Sequence, residues 1–200
     1  YIQQRARKAW LLMSEFDFAF VVLSGVEKND LHNDPVTIRD PIFKSVLSSF
    51  GGKPLNIFQV GAIESFNDKY RIGSGWADLM WGEYIRDNGG SLTIVDIDLD
   101  HLANSAFASS MLNYKVNITY GDAINSIGEG YDIYYLDGSN DPDETLEQFK
   151  KIMHTDSVVM VDDYRIKGTS LHPLVKVEGY KFDLYKNANH VGVIDLRKET

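Results

Sequence analysis

Three aspartates close two short apolar runs, Tyr135-Leu136-Asp137-Gly138 and Val161-Asp162-Asp163-Tyr164. If those runs are neighbouring parallel strands, their ends lie about 4.8 Å apart. Carboxylates held that close repel one another and partly protonate unless a cation intervenes. A divalent cation with oxygen ligands (magnesium, manganese or calcium) relieves the repulsion. Such an ion at Asp137, Asp162 and Asp163 would hold two substrate oxygens and lower the pKa of a hydroxyl. An aspartate cluster paired with Arg or Lys, or used for helix caps, is the plainer reading of the same residues.

Three further places carry chemistry. Gly61-Ala62-Ile63-Glu64-Ser65 follows a strand candidate, and Gly73-Ser74-Gly75 leads into a helix candidate. Small residues let backbone approach a ligand, and a helix N-terminus offers free N–H groups to an anion. Asp96 ends the next strand about twenty residues later, where an acidic side chain accepts both hydroxyls of a ribose. Asp98 competes for that role or caps the following helix. Gly121-Asp122-Ala123 follows the third strand, where a carboxylate would take an adenine amino group, although Gly-Asp is also ordinary turn chemistry. Together these places indicate an adenosine-type ligand. The tight GxGxxG of a nicotinamide site is absent. The histidines at 32, 101, 154, 172 and 190 show no metal-ligand spacing and read as surface or packing residues. Trp76 and Trp81 read as packing, and Tyr164 as pocket lining or core.

The elements that must position these residues are regular from Leu55 onward. Strand candidates Leu55–Val60, Ser91–Asp96, Lys115–Tyr120, Tyr131–Asp137 and Ser157–Asp162 alternate with helix candidates Trp76–Asn88, Leu99–Leu112 and Pro142–His154. That alternation predicts βαβ units around a parallel sheet covered on both faces. Tyr180–Lys186 and Val191–Leu196 are joined by too short a connection for a parallel crossover, so they form an antiparallel hairpin. The expected fold is an α/β Rossmann-like three-layer sandwich, a mainly parallel seven-stranded sheet ending in that hairpin.

Residues 1–53 differ in texture and are expected to form a helical cap extension preceding a ligand-binding domain over 54–200. Arg5, Arg7 and Lys8 precede Trp10-Leu11-Leu12-Met13, but Glu15 and Asp17 interrupt the apolar run, so the segment reads as an amphipathic opening helix rather than a targeting signal. Phe16, Phe18 and Phe20 alternate as a strand would. Asp40-Pro41 reads as a cap and first position of a helix ended by Gly51-Gly52.

Lys and Arg number 20 against 29 Asp and Glu, a formal net charge of −9. That balance opposes a broad nucleic-acid surface, which needs clustered basic residues. The absence of cysteine rules out disulfides, thiolate catalysis and Cys-ligated metal. No apolar run reaches the roughly 20 residues of a membrane span. A cytoplasmic, membrane-free setting is the expectation.

The stretches GSGWADLMWGEYIRDNGGSLTIVDID, YDIYYLDGSND and SVVMVDDY resemble class I S-adenosylmethionine-dependent methyltransferases, in particular metal-dependent small-molecule O-methyltransferases of the macrocin and catechol type. The resemblance covers Asn56 to about Leu196. It implies that Gly61, Ala62, Ser65 and Gly73-Ser74-Gly75 hold the methionine end of S-adenosylmethionine. It implies further that Asp96 takes the ribose, that Asp122 and Ala123 border the adenine, and that Asp137, which also borders the cofactor, binds Mg2+ with Asp162 and Asp163. The implied acceptor is a small-molecule hydroxyl, with Asp137 and Asp141 as catalytic candidates. The extension would shape the acceptor pocket or a homodimer contact. Three departures stand out: Gln59 replaces an acidic residue, the glycine loop carries about ten extra residues, and Ser139 stands where a second Asp is common. A non-catalytic metabolite-binding relative and a NAD(P)-dependent oxidoreductase are the competing readings.

Overall fold

The computed structural model describes residues 35–65, 77–186 and 190–198. The expected opening helix and the Phe16–Phe20 strand lie outside the described residues, as do Trp76 and Gly73-Ser74-Gly75.

Helix α1 (Pro35–Ser48) precedes β1 (Leu55–Val60), α2 (Ala77–Asn88) and β2 (Gly90–Asp96). Then come α3 (Leu99–Leu112), β3 (Val116–Tyr120), the single turn α4 (Ala123–Ser126) and β4 (Ile133–Leu136). Helix α5 (Pro142–Ile152), β5 (Val158–Val161), α6 (Tyr164–Glu178), β6 (Lys181–Tyr185) and β7 (Val191–Asp195) complete the order. The described strands form one seven-stranded sheet in the order β3-β2-β1-β4-β5-β7-β6. The first five are parallel; β7 runs antiparallel to both β5 and β6. The expected fold is therefore the observed one.

Burial explains the strand sequences. β4 (IYYL) and β5 (VVMV) are buried at every position because helices cover both faces, so their runs are continuously apolar. Alternate residues enter opposite cores: Ile57, Tyr135 and Met160 join Phe43, Trp81 and Ile85 on one face, while Phe58, Tyr134 and Val159 join Phe149, Ile152 and Leu171 on the other. The edge strands β3 and β6 are largely solvent-facing.

Besides the single turn α4, two elements differ from the sequence expectation. Helix α1 begins at Pro35 rather than at Asp40, with Pro41 inside it. Pro35 sits in the first turn, where the N–H it lacks has no intrahelical partner to lose. Residues 164–178, unassigned from sequence, form α6, which continues through Gly168 and Pro173. Its face carrying Leu171 and Val175 is buried, and tertiary packing outweighs the local cost of the interior proline. Among the described residues, no helix is long and apolar enough to cross a membrane.

Candidate functional site

The strand order reverses between β1 and β4, and ligands of open parallel sheets bind beyond the carboxyl ends at that reversal. Val60, Val95, Leu136 and Val161 stand level across the four central strands. The residues that follow them, Gly61, Asp96, Asp137 and Asp162, therefore lie along one sheet edge.

A cavity of about 300 Å³ opens there. Gly61, Asp96 and Ile97 form one side, and Gly121, Asp122 and Ala123 another. Asp137, Gly138, Ser139 and Glu144 line the side toward β4 and α5, with His101 contributed by α3. Of the residues expected to bind a cofactor, Gly61, Asp96, Asp122, Ala123 and Asp137 thus share one cavity.

Gly61 has φ +91, and a Cβ there would drive into the carbonyl oxygen of Asp137. Its turn is pinned from two sides. Gln59 Nε2 donates to Gly61 O at 2.6 Å and also to the Asp78 carboxyl. On the α3 side, Ile63 N donates to Ser105 Oγ at 3.0 Å and Asn104 Nδ2 donates to Ile63 O at 2.9 Å. Ala62 is buried and Ser65 half-buried in the same turn.

Asp96 is held by backbone donors. Its Oδ2 accepts from Ala62 N at 2.8 Å and its Oδ1 from Asp98 N at 2.8 Å, while His101 Nδ1 lies 3.4 Å away. Each carboxylate oxygen keeps further lone-pair capacity for a ligand. Asp98 caps α3, accepting from the Asp100 and His101 amides, and the Asp100 amide chiefly holds its carboxyl below the usual range. Asp122 caps α4 through Asn125 N at 2.9 Å while also lining the cavity.

The expected metal ligands form a different arrangement. Lys167 Nζ, from α6, lies 2.9 Å from Asp137 Oδ1, and both side chains are buried, at 2% and 6% exposure. Asp162 is buried; Asp163 turns through φ 46 to start α6. No group of three His, Cys, Asp or Glu side chains among the described residues could hold a metal ion. Asp137, Asp162 and Asp163 therefore do not assemble as a ligand set: an ammonium occupies the carboxylate that would anchor it.

Asp141, the second catalytic candidate, is exposed, caps α5 by accepting from Asp143 N at 2.9 Å, and does not line the cavity. Its neighbour Ser139 donates to Glu144 Oε2, whose Oε1 accepts from Gln148 Nε2 at 3.0 Å. Glu144 is thus an oriented carboxylate on the cavity wall. Tyr164 belongs to the core: its hydroxyl meets His172 Nδ1 at 3.0 Å and its ring packs on Phe182. Trp81 is packing, as expected.

Sequence reasoning missed Asp78, His101, Glu144 and Lys167 as residues of the site and its support. Asp78 is wholly buried in α2, and burial pushes its carboxyl up to about 8 against the hydrogen bonds from Ser105 and Gln59. Only Glu144, near the Asp137-Gly138 turn at the start of a helix candidate, carried a local signal.

No family model matches the chain, and no curated protein matches its sequence. Solved structures do match its fold. An SAH-bound methyltransferase from Podospora anserina is 14% identical over 79% of this chain and 76% of its own, with TM-score 0.59. A Staphylococcus aureus protein proposed to be a caffeoyl-CoA O-methyltransferase is 12% identical over 96% and 99%, with TM-score 0.58. A proposed rRNA methylase from Clostridium thermocellum is 15% identical over 84% and 98%, with TM-score 0.55. At these identities the likeness is one of fold: the chain has the Rossmann-like architecture of methyltransferases.

Proposed function

We propose that the chain is an S-adenosylmethionine-dependent methyltransferase acting on a hydroxyl of a small molecule. The observation that carries this reading is the cavity at the β1/β4 reversal, which Gly61, Asp96, Asp122 and Ala123 line together. Its volume suits a ligand of nucleoside size. The donor set fits too: Asp96 offers acceptors to ribose hydroxyls, Asp122 offers one to an exocyclic amine, and exposed Ile97 presents an apolar wall. When bound, the cofactor would supply a sulfonium methyl group.

The chain's own contribution is positioning. Transfer to an aligned nucleophile gains chiefly from holding both reactants at near-attack distance. The Gly61 turn and the Asp96 carboxylate, each fixed by hydrogen bonds, are built for that. Glu144, held by Ser139 and Gln148, is the carboxylate available to accept the hydroxyl's proton. A divalent ion is not part of this reading, because Lys167 already occupies Asp137. The formal charge of −9 supports a small acceptor over a nucleic acid.

The test is a thermal titration with S-adenosylmethionine, S-adenosylhomocysteine and NAD(H). A ligand that binds only the folded state raises the melting temperature. Stabilisation by the two adenosylated sulfur compounds is expected; stabilisation by NAD(H) alone overturns the reading. With an acceptor in hand, Glu144→Gln should lower kcat by about 10²–10⁴ while leaving cofactor affinity intact.

A further inference from the structure

Lys167 is among the most buried side chains of the described residues, at 2% exposure, and it projects from the first turn of α6 to Asp137 at the end of β4. Asp162, at the end of the neighbouring strand β5, is also buried. Burying an ammonium costs several kcal/mol unless a partner offsets it. Here the offset comes from the carboxylate that, with Asp162 and Asp163, makes up the sequence signature of a divalent-cation site. The two occupants exclude each other. An ammonium 2.9 Å from Asp137 Oδ1 fills one coordination direction and repels a second cation at close range.

We propose that Lys167 is a built-in cation standing where that signature would otherwise recruit a divalent ion. It neutralises Asp137, fixes the Asp137-Gly138 turn against the cavity, and makes the fold and its ligand binding independent of divalent metal. Asp137 then acts as a positioning residue rather than a metal ligand. The local sequence keeps the acidic residues of a metal site, while α6 supplies the charge. This goes beyond the methyltransferase reading and does not depend on it, because metal binding can be measured without turnover.

The experiment compares the full chain with Lys167→Met and Lys167→Arg in thermal melts with EDTA, Mg2+, Ca2+ or Mn2+, alongside Mn2+ electron paramagnetic resonance. The wild type should melt at the same temperature in all four conditions and leave the free Mn2+ spectrum unchanged. Lys167→Met should melt lower in EDTA and recover part of the loss on adding a divalent ion, a response that a merely structural lysine would not uncover. Lys167→Arg keeps the charge and should show no metal response. A wild type that binds Mn2+ or is stabilised by Mg2+ overturns the proposal. So does a folded Lys167→Met with no divalent response. If Lys167→Met fails to fold in every condition, the wild-type spectrum decides: free Mn2+ upholds the internal cation, bound Mn2+ overturns it.

Discussion

Asp78 is a carboxyl group with no exposure, tied to Gln59 and through it to the turn at Gly61. Burial raises its pKa to about 8 in the folded state, from an ordinary value of 3.8. Between those values the folded chain holds a proton that the unfolded chain has lost. Stability therefore falls as pH rises, with this group's penalty absent below about 4 and fully developed above about 8. Asp78→Asn keeps an acceptor for Gln59 and should flatten that part of the stability–pH curve, gaining most over the wild type at pH 8; urea melts across the range read it. An unchanged slope would mean that Asp78 is ionised in the native protein. Gln59 makes sense in this setting, because an acidic residue in its place would face a second buried carboxyl. Asp96 supports a different expectation. Losing a charged acceptor of ribose hydroxyls costs about 1.5–3 kcal/mol, so Asp96→Asn should weaken S-adenosylhomocysteine binding roughly 10- to 100-fold by calorimetry. Residues at strand ends, such as Asp96, Asp122 and Asp137, were legible because apolar runs stop there. Lys167 was not, since its role depends on a helix end meeting a strand distant in sequence.

The strands were legible because a sheet covered on both faces leaves no polar position in its centre: β4 and β5 read as continuous apolar runs. The hairpin was legible because the connection between β6 and β7 is short. Helix α6 was not, because Gly168 and Pro173 mimic a loop and only the buried face, packed on α5, β5 and β7, makes the helix stable. The same dependence on neighbours governs the β1–β4 junction. Gly61 sits at φ +91 with the Asp137 carbonyl oxygen in the space a side chain would need. Gly61→Ala would combine a disfavoured backbone conformation with overlap against backbone that cannot rotate away. It should cost about 2–4 kcal/mol, lower the melting temperature, and weaken adenosyl ligand binding by displacing the turn that carries Ala62 N to Asp96. Melting and calorimetry on the purified variant check both. A variant as stable as the wild type would show that β1 and β4 approach less closely than the structure has them.

At the scale of the whole molecule, the described residues do not divide at the composition change near residue 53. Ile42, Phe43, Val46, Leu47 and Phe50 are all buried, and Phe43 packs on Trp81 at 4.5 Å and on Tyr135 at 5.5 Å between ring centroids. Trp81 belongs to α2 and Tyr135 to β4, so α1 completes the core on one face of the sheet rather than sitting above it as a cap. Composition could not reveal this, because an amphipathic helix has the same pattern whether it covers a sheet or a pocket. Fully burying one large apolar side chain is worth about 1.5–3 kcal/mol, whereas an entire domain is stable by only about 5–15 kcal/mol. Removing these five together should exhaust that margin. A chain beginning at Pro54 is expected to show no cooperative thermal transition and no near-ultraviolet dichroism from its buried Trp and Tyr, while the full chain shows both. If residues 54–200 melt cooperatively and still bind S-adenosylhomocysteine, α1 is dispensable to the core and the boundary at 53 separates two independent units.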